Sequence, residues 1–294
     1  MSIRQLVGDD FMTHGDLSGS HDGGTYGSAI AAEGWQRGAT GRAADLRPIT
    51  ERMLDLAGIG SGHRVLDVAA GTGEQTLMAA RRVGPLGFVL ATDIADRMLA
   101  YLDEAARNEG LANVQTRLMD ARALELEPES FDAAICRLAL MLIPERHKAL
   151  AGIKRALKPG SRFAAIVLST AEKIPHIGEP LAIARRHAGL PPAPLEDPGM
   201  FALGDPGALR SAFERAGFRE VALEIVASAR RFPSLAAAME HLRNSLPEMR
   251  PFLEQLSDAK RDAVWKEIEM VMRQFERSGG VIVPTERLVA VGTK

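Results

Sequence analysis

Three carboxylates and a glycine pair stand at spacings that suit the binding of a nucleoside. Residues 65–76 read VLDVAAGTGEQT, an apolar run that passes into Gly71-Thr72-Gly73 and then into a helix-forming stretch. Glycines at such a turn let the chain bend tightly and let its backbone approach a ligand, because no Cβ intervenes. The turn alone is a weak signal, since glycines also end strands for purely structural reasons. About twenty residues beyond it, VLATDIADRML places Asp93 at the end of a second apolar run. A carboxylate there can accept both hydroxyls of an adenosine ribose. A third run ends in Asp120-Ala121, where a carboxylate can accept a proton from an adenine amino group. Three strand ends converging on one crevice are where open parallel sheets bind their ligands.

The charge pattern narrows the ligand. A dinucleotide fingerprint places a third Gly or Ala three residues after the second glycine; here that residue is Thr76. The glycine turn is followed by Glu74, an acid where a pyrophosphate would need the positive end of a helix. S-adenosylmethionine has no phosphate, and its ammonium and sulfonium tolerate or prefer carboxylates such as Asp67 and Glu74.

These residues need a sheet to hold them. From Arg64 to Thr170, the apolar runs RVLDVAA, GFVLATD, NVQTRLMD, FDAAICRLAL and SRFAAIVLST alternate with the helical stretches EQTLMAARRV, ADRMLAYLDEAARNEG and PERHKALAGIKRALKPG. The last helix is expected to stop at Pro159-Gly160. Near-continuous apolar strands between helices predict a parallel sheet covered on both faces. Pro48 is expected to open a preceding helix, PITERMLDLAG, with Ile49, Met53, Leu54 and Leu56 on its apolar face. The Pro-rich stretch from Ala171 to Asp205 reads as a short helix, LAIARRHAG, followed by loop. A helix (DPGALRSAFERAG), a strand (FREVALEIVAS), two helical segments and a final strand (ERLVAVGTK) follow, so the helical pair is inserted before the last strand. The organisation predicted is one domain over 1–294, with an N-terminal lid segment at 1–47, a cofactor-binding core at 48–170, and lid or substrate insertions at 171–205 and 234–280.

Composition removes several function classes. The 294 residues carry a formal net charge of −2, with no basic stripe of the kind that grips nucleic acid. No apolar run is long enough to span a bilayer, and MSIRQLVGDDFMTHGD lacks a signal-peptide core, which predicts a cytoplasmic location and no membrane partner. The single cysteine, Cys136, reads as a small core hydrophobe. No His/Cys/Asp cluster at ligand spacing appears, so no metal is expected. The first stretch, to about Ser28, has the Gly, Ser and Asp content of a flexible segment.

Together, VLDVAAGTGE, ATDIADRML, MDARAL, SFDAAICRLALMLIPERHKAL and RALKPGSRF resemble the class I S-adenosylmethionine-dependent methyltransferases, with the ubiquinone/menaquinone-biosynthesis methyltransferases and their small-molecule cousins the most similar group. The likeness is strong over about residues 48–170 and weaker beyond. It implies a Rossmann-like α/β fold with a mostly parallel seven-stranded sheet, helices on both faces and a helical lid. It also implies roles. Ala69, Gly71 and Gly73 would line the methionine moiety and Thr72 would help hold it, with Asp67 counted among the cofactor-binding residues. Asp93 would bind the ribose beside Ile94 and Met98. Asp120 and Ala121 would meet the adenine. Arg137 and Leu138 would border the transferable methyl. The family often has Gly where this chain has Ala69 or Ala70, and the quinone-pathway relatives tend to have a small polar residue at the position of Arg137, so the quinone substrate is not carried over. By the same analogy the N-terminal segment closes over the cofactor, making Tyr26 and Trp35 substrate-pocket candidates, with Trp35 as a packing anchor the equal alternative.

The activity implied is methyl transfer to an O, N or C nucleophile of a small molecule, in secondary metabolism, with S-adenosyl-L-homocysteine as product and a homodimer as a candidate assembly. His176, just after the fifth strand, and His187, on the helix LAIARRHAG, are the candidate catalytic bases. Three alternatives stay open: a catalytically silent S-adenosylmethionine-binding protein, an RNA or protein methyltransferase, and an NAD-dependent oxidoreductase, the last disfavoured by Thr76 and Glu74. RLALMLIP stands where an N-methylating nucleic-acid enzyme would carry Asn/Asp-Pro-Pro-aromatic, which argues against that class.

Overall fold

The computed structural model describes residues 39–192 and 198–294, with side chains from residue 45 onward. The elements are α1 (Ala39–Leu56), β1 (Arg64–Val68), α2 (Glu74–Val83), β2 (Phe88–Asp93), α3 (Asp96–Asn108), β3 (Val114–Leu118), β4 (Phe131–Arg137), α4 (Arg146–Ala156), β5 (Leu157–Leu168), α5 (Pro175–His187), α6 (Pro206–Arg215), β6 (Arg219–Phe232), α7 (Leu235–Ser245), α8 (Arg250–Glu254), α9 (Asp258–Arg273), β7 (Glu276–Arg277) and β8 (Gly280–Thr293). The sheet order is β3-β2-β1-β4-β5-β8-β6, with the two-residue β7 paired to β8. Strands β1 to β5 run parallel, and β8 runs antiparallel to both β5 and β6. Seven strands thus form the continuous path of a mostly parallel Rossmann-like sheet.

The central strands are buried on both faces, as their apolar runs require. On one face Leu66, Ala134, Phe163 and Ala165 pack with α4 and α6, where Phe163 stacks on Phe213 with ring centroids 5.1 Å apart. On the other, Val65, Ile135, Ala164 and Ile166 pack with Ile49, Met53 and Leu54 of α1 and with α2. Leu56 is only partly buried against that cluster. A third cluster joins Ile183 and Ala184 of α5, Met239 and Leu242 of α7, and Ile268 and Met272 of α9 to Val281 and Val283 of β8. Trp265 packs on its edge beneath the Arg243 guanidinium, whereas Met270 faces outward.

Four boundaries differ from the expectation. Helix α1 begins at Ala39, so Pro48 lies inside it rather than opening it. Pro48 has no N–H for the carbonyl four residues back, but Thr50 Oγ1 donates to the Leu46 carbonyl at 2.8 Å and adds a side-chain bond to that turn. Helix α4 stops at Ala156, because Pro159 forces Lys158 into extended backbone and starts β5 early. Helix α5 is longer than LAIARRHAG: Pro175 occupies its first turn, where a missing N–H is harmless. Strands β6 and β8 extend together well beyond the predicted runs, pairing from Ala222↔Val291 to Phe232↔Val281. Among the described residues no helix is long and apolar enough to cross a membrane.

Candidate cofactor crevice

Strand β1 leaves the sheet at Ala69, whose φ of 55° lies in the left-handed region. The turn continues through Gly71 (φ 59°) to Gly73 (φ 82°), the N-cap of α2. A Cβ on Gly73 would stand 2.0 Å from Leu102 Cδ1, a fully buried side chain of α3, so glycine is required both for backbone and for space. The Ala70 N–H donates to the Thr92 carbonyl at 2.9 Å, which ties the turn to the end of β2.

Asp93 completes that tie. Its Oδ2 accepts from the Gly71 N–H at 2.8 Å and its Oδ1 from the Ala95 N–H at 2.9 Å. Each oxygen keeps a lone pair, and the carboxyl is only 9% exposed. Burial raises its pKa, while the backbone donors oppose the rise. Beside it Ile94 is an exposed apolar side chain, 44% accessible, and Met98 is buried beneath. A flat apolar surface next to a ribose-height carboxylate suits a purine ring.

Asp120 stands one strand further out and caps a short 3₁₀ turn of which Ala121 is the first residue. Its carboxylate accepts from the Arg122 N–H at 2.8 Å and from the Arg122 guanidinium, which holds it below the usual carboxylate range. The side chain is therefore turned to Arg122, and an adenine amino group would share it rather than own it.

Under the glycine turn Asp67 is fully buried. Thr76 Oγ1 donates to its Oδ2 at 2.6 Å and Gln75 Nε2 reaches its Oδ1 at 3.4 Å. Desolvation pushes the Asp67 carboxyl up to about 7 despite these donors. Thr76 thus has a positive reason to stand where a dinucleotide fingerprint would have Gly or Ala.

Glu74 and Arg137 meet across the turn. Arg137 Nη2 donates to Glu74 Oε2 at 2.9 Å, and its Nη1 donates to Thr50 Oγ1 of α1 at 3.0 Å. The Arg137 side chain is 6% exposed. Glu74 is therefore not a bare acid at the helix start, but its Oε1 is buried with no partner among the described residues. Leu138 follows in left-handed backbone (φ 57°), with its N–H donating to the Ile166 carbonyl at 2.8 Å. Thr50 and Gln75 carry no motif in the sequence.

The two candidate histidines part company. His176, the second residue of α5, is 6% exposed, and burial next to Arg287 pushes its pKa down to about 3, so it is neutral. His187 ends the same helix and its Nε2 lies 2.9 Å from Glu267 of α9; with the Arg186–Glu267 pair it fastens α5 to α9. That position gives it a structural bond between the two helices. Cys136 is fully buried, and desolvation pushes its thiol up to about 12, which leaves it inert. Tyr26 and Trp35 lie outside the described residues.

The crevice fits S-adenosylmethionine on its own geometry. A left-handed turn through Gly71 that exposes backbone, a carboxylate with free lone pairs beside an exposed apolar side chain, and an orphaned carboxylate oxygen on Glu74 correspond to backbone approach, ribose and ammonium in turn. Fold and crevice together define a Rossmann-like nucleoside-binding domain. A family model described as a methyltransferase domain matches residues 59–185. The ubiquinone/menaquinone biosynthesis C-methyltransferase of Pasteurella multocida is 39% identical over 117 residues, 40% of this chain and 44% of that protein. The enzyme of the same name from Methylococcus capsulatus is 40% identical over 120 residues, 40% of this chain and 48% of that one. The chain spans about half the length of the curated relatives it matches. Among solved structures, the YcgJ protein of Bacillus subtilis gives a TM-score of 0.56 at 18% identity, covering 83% of this chain and 97% of that one. Phosphoethanolamine N-methyltransferase 2 of Haemonchus contortus, in complex with S-adenosyl-L-methionine, gives 0.52 at 20%, covering 84% and 52%. Residues 59–185, which build most of the crevice, thus match a methyltransferase domain.

Proposed function

We propose that the whole protein transfers the methyl group of S-adenosyl-L-methionine to an O, N or C nucleophile of a small molecule. The observation that carries this is the meeting of Gly71, Asp93 and the free Glu74 oxygen at adjacent strand ends. When bound, the cofactor supplies an activated methyl on a sulfonium. Asp93 would hold the ribose hydroxyls, Ile94 and Met98 would flank the adenine, and Glu74 would offer negative charge to the ammonium, with Asp67 fixing the turn from beneath through Thr76. Arg137 keeps Glu74 in place and borders the methyl with Leu138. Placing acceptor and methyl in line at about 3 Å supplies much of the rate in such a displacement. The described parts of residues 171–205 and residues 234–280 form the lid that encloses the acceptor, and the N-terminal lid expected from the sequence lies mostly outside the described residues. A reaction in secondary metabolism and a cytoplasmic site fit this reading. The relatives' C-methylation of quinone precursors is a narrower version of it, and the buried Arg137 argues for a different acceptor.

Calorimetric titration tests the cofactor. S-adenosylmethionine and S-adenosylhomocysteine should bind, NAD should not, and Asp93→Ala should weaken both adenosyl ligands by tenfold or more. Binding indifferent to Asp93 would sink the reading. An adenosyl binder that turns over none of a broad set of nucleophiles would favour the silent alternative.

A further inference from the structure

Strand β8 carries two buried polar residues between two apolar clusters. Val281 and Val283 face the helical cluster of α5, α7 and α9, while Val289 and Val291 of the same strand face the cluster beneath α1 and α2. By the two-residue alternation of a strand, Thr285 and Arg287 lie on that face between them. They are 3% and 9% exposed. Helix α5 crosses β8 here and brings in His176 at 6% exposure. Three polar atoms in this seam, Thr285 Oγ1, Arg287 Nε and His176 Nδ1, are buried with no partner among the described residues.

The charge balance of the seam is uneven. Arg287 lies within charge reach of Arg137 on one side and Arg230 on the other. Arg137 has Glu74 and Arg230 has Asp45. Arg287 donates from Nη1 to Ser228 Oγ at 3.1 Å, and no carboxylate ion-pairs with it among the described residues. Burial and its cationic neighbours push its pKa down to about 10, so it remains a cation at neutral pH, while His176 is neutral. A guanidinium buried among two others without its own anion is a costly arrangement, and an incoming anion relieves it.

We propose that Arg287, with Thr285 and His176, is the anion subsite of the methyl-acceptor pocket, and that the acceptor is a small molecule bearing a carboxylate. This rests on the methyltransferase reading of the neighbouring crevice. A planar carboxylate matches the donor fork of a guanidinium, and its single negative charge matches the one uncompensated cation. A phosphate dianion would over-compensate it. The subsite adjoins the cofactor crevice through Arg137, whose β5 partner Ile166 pairs in turn with Val289, two residues along β8 from Arg287.

The test uses the full chain, with and without saturating S-adenosylhomocysteine. Dissociation constants are measured for benzoate, 4-hydroxybenzoate, benzamide and phenyl phosphate. The carboxylates should bind at least tenfold tighter than benzamide and tighter than phenyl phosphate. Arg287→Gln should remove that preference and Arg287→Lys should keep part of it, with S-adenosylhomocysteine affinity unchanged in both. The comparison between carboxylate and amide in the unaltered protein stands even where a variant fails to fold. Equal binding of benzoate and benzamide, or stronger binding of phenyl phosphate, overturns the proposal. Failure of S-adenosylhomocysteine to bind overturns the methyltransferase reading, and with it the word acceptor. Loss of carboxylate preference with S-adenosylhomocysteine bound overturns the subsite alone.

Discussion

Asp67 shows how a single residue couples the cofactor turn to stability. Its folded pKa of about 7 stands above the unfolded value of about 3.9. The folded state therefore holds the proton more tightly. Asp67's share of stability is fully present below pH ~4 and is lost as pH rises to ~7, after which the curve is level. Asp67→Asn stays neutral and keeps an oxygen for Thr76. Urea unfolding across pH 4.5–8.5 should show the variant gaining on the unaltered protein as pH rises through that window, with little further change above it. A difference independent of pH would mean that Asp67 is ionised in the fold throughout. Ala69, in left-handed backbone, makes a second case. Ala69→Gly should be tolerated within about 1 kcal/mol, because relief of the Cβ clash and the added freedom of the unfolded chain oppose each other. Ala69→Val should cost about 2–3 kcal/mol, since a β-branched side chain is a true outlier there. Equal effects of the two would show that the turn's conformation does not matter.

At the scale of elements, α1, β4 and α2 are held together by the Thr50–Arg137–Glu74 contacts. Glu74→Gln leaves the Arg137 guanidinium buried without its counter-charge. The cost for a fully buried pair is about 3–5 kcal/mol, and the partial exposure of Glu74 reduces it to about 2–3 kcal/mol. Arg137→Met should cost a similar amount, and the double variant less than the sum, because the second change removes the charge that the first left stranded. Additive losses in denaturant unfolding would show that the two side chains do not interact. Much of this element layer was legible in the sequence from Arg64 to Thr170, where each strand is a short apolar run bounded by its own turn residues. Arg137 and Glu74 each stood out singly, but their pairing depends on the β1–β4 neighbourhood, which no local pattern encodes. The extents of β6 and β8 were hidden for another reason. Pro284 sits in β8 beyond the end of its pairing with β5, where its missing N–H leaves no ladder bond unmade on that side, so a residue that reads as a strand breaker is harmless. Arg287 was hidden because a charge near the start of ERLVAVGTK reads as a solvated end, whereas the longer strand places it in the interior.

Across the whole molecule the cofactor crevice draws on distant parts of the chain. Helix α1 spans from Thr50 at the crevice to Arg52, whose Nε donates to Glu224 of β6 at 2.8 Å, and to Asp45, which pairs with Arg230 of the same strand. The Arg52–Glu224 pair is exposed and contributes little by itself. Yet it joins the first described helix to the far edge of the sheet, so a ligand that orders the turn at Gly71 acts on a body clamped from both ends. Binding confined to the folded state should then stabilise the molecule as one unit. S-adenosylhomocysteine at a hundredfold excess over its dissociation constant should contribute about 2.7 kcal/mol. For a chain of this size that is a rise in melting temperature of about 4–5 °C. Calorimetric scans should show one transition moving by that amount, with NAD leaving it in place and Asp93→Ala at the same ligand concentration cutting the shift to about half or less. Two transitions, of which only one responds, would show that the helices around β8 fold apart from the cofactor core. The seam at Arg287 would then join two separately stable bodies, and ligand effects measured there would not report on the turn at Gly71.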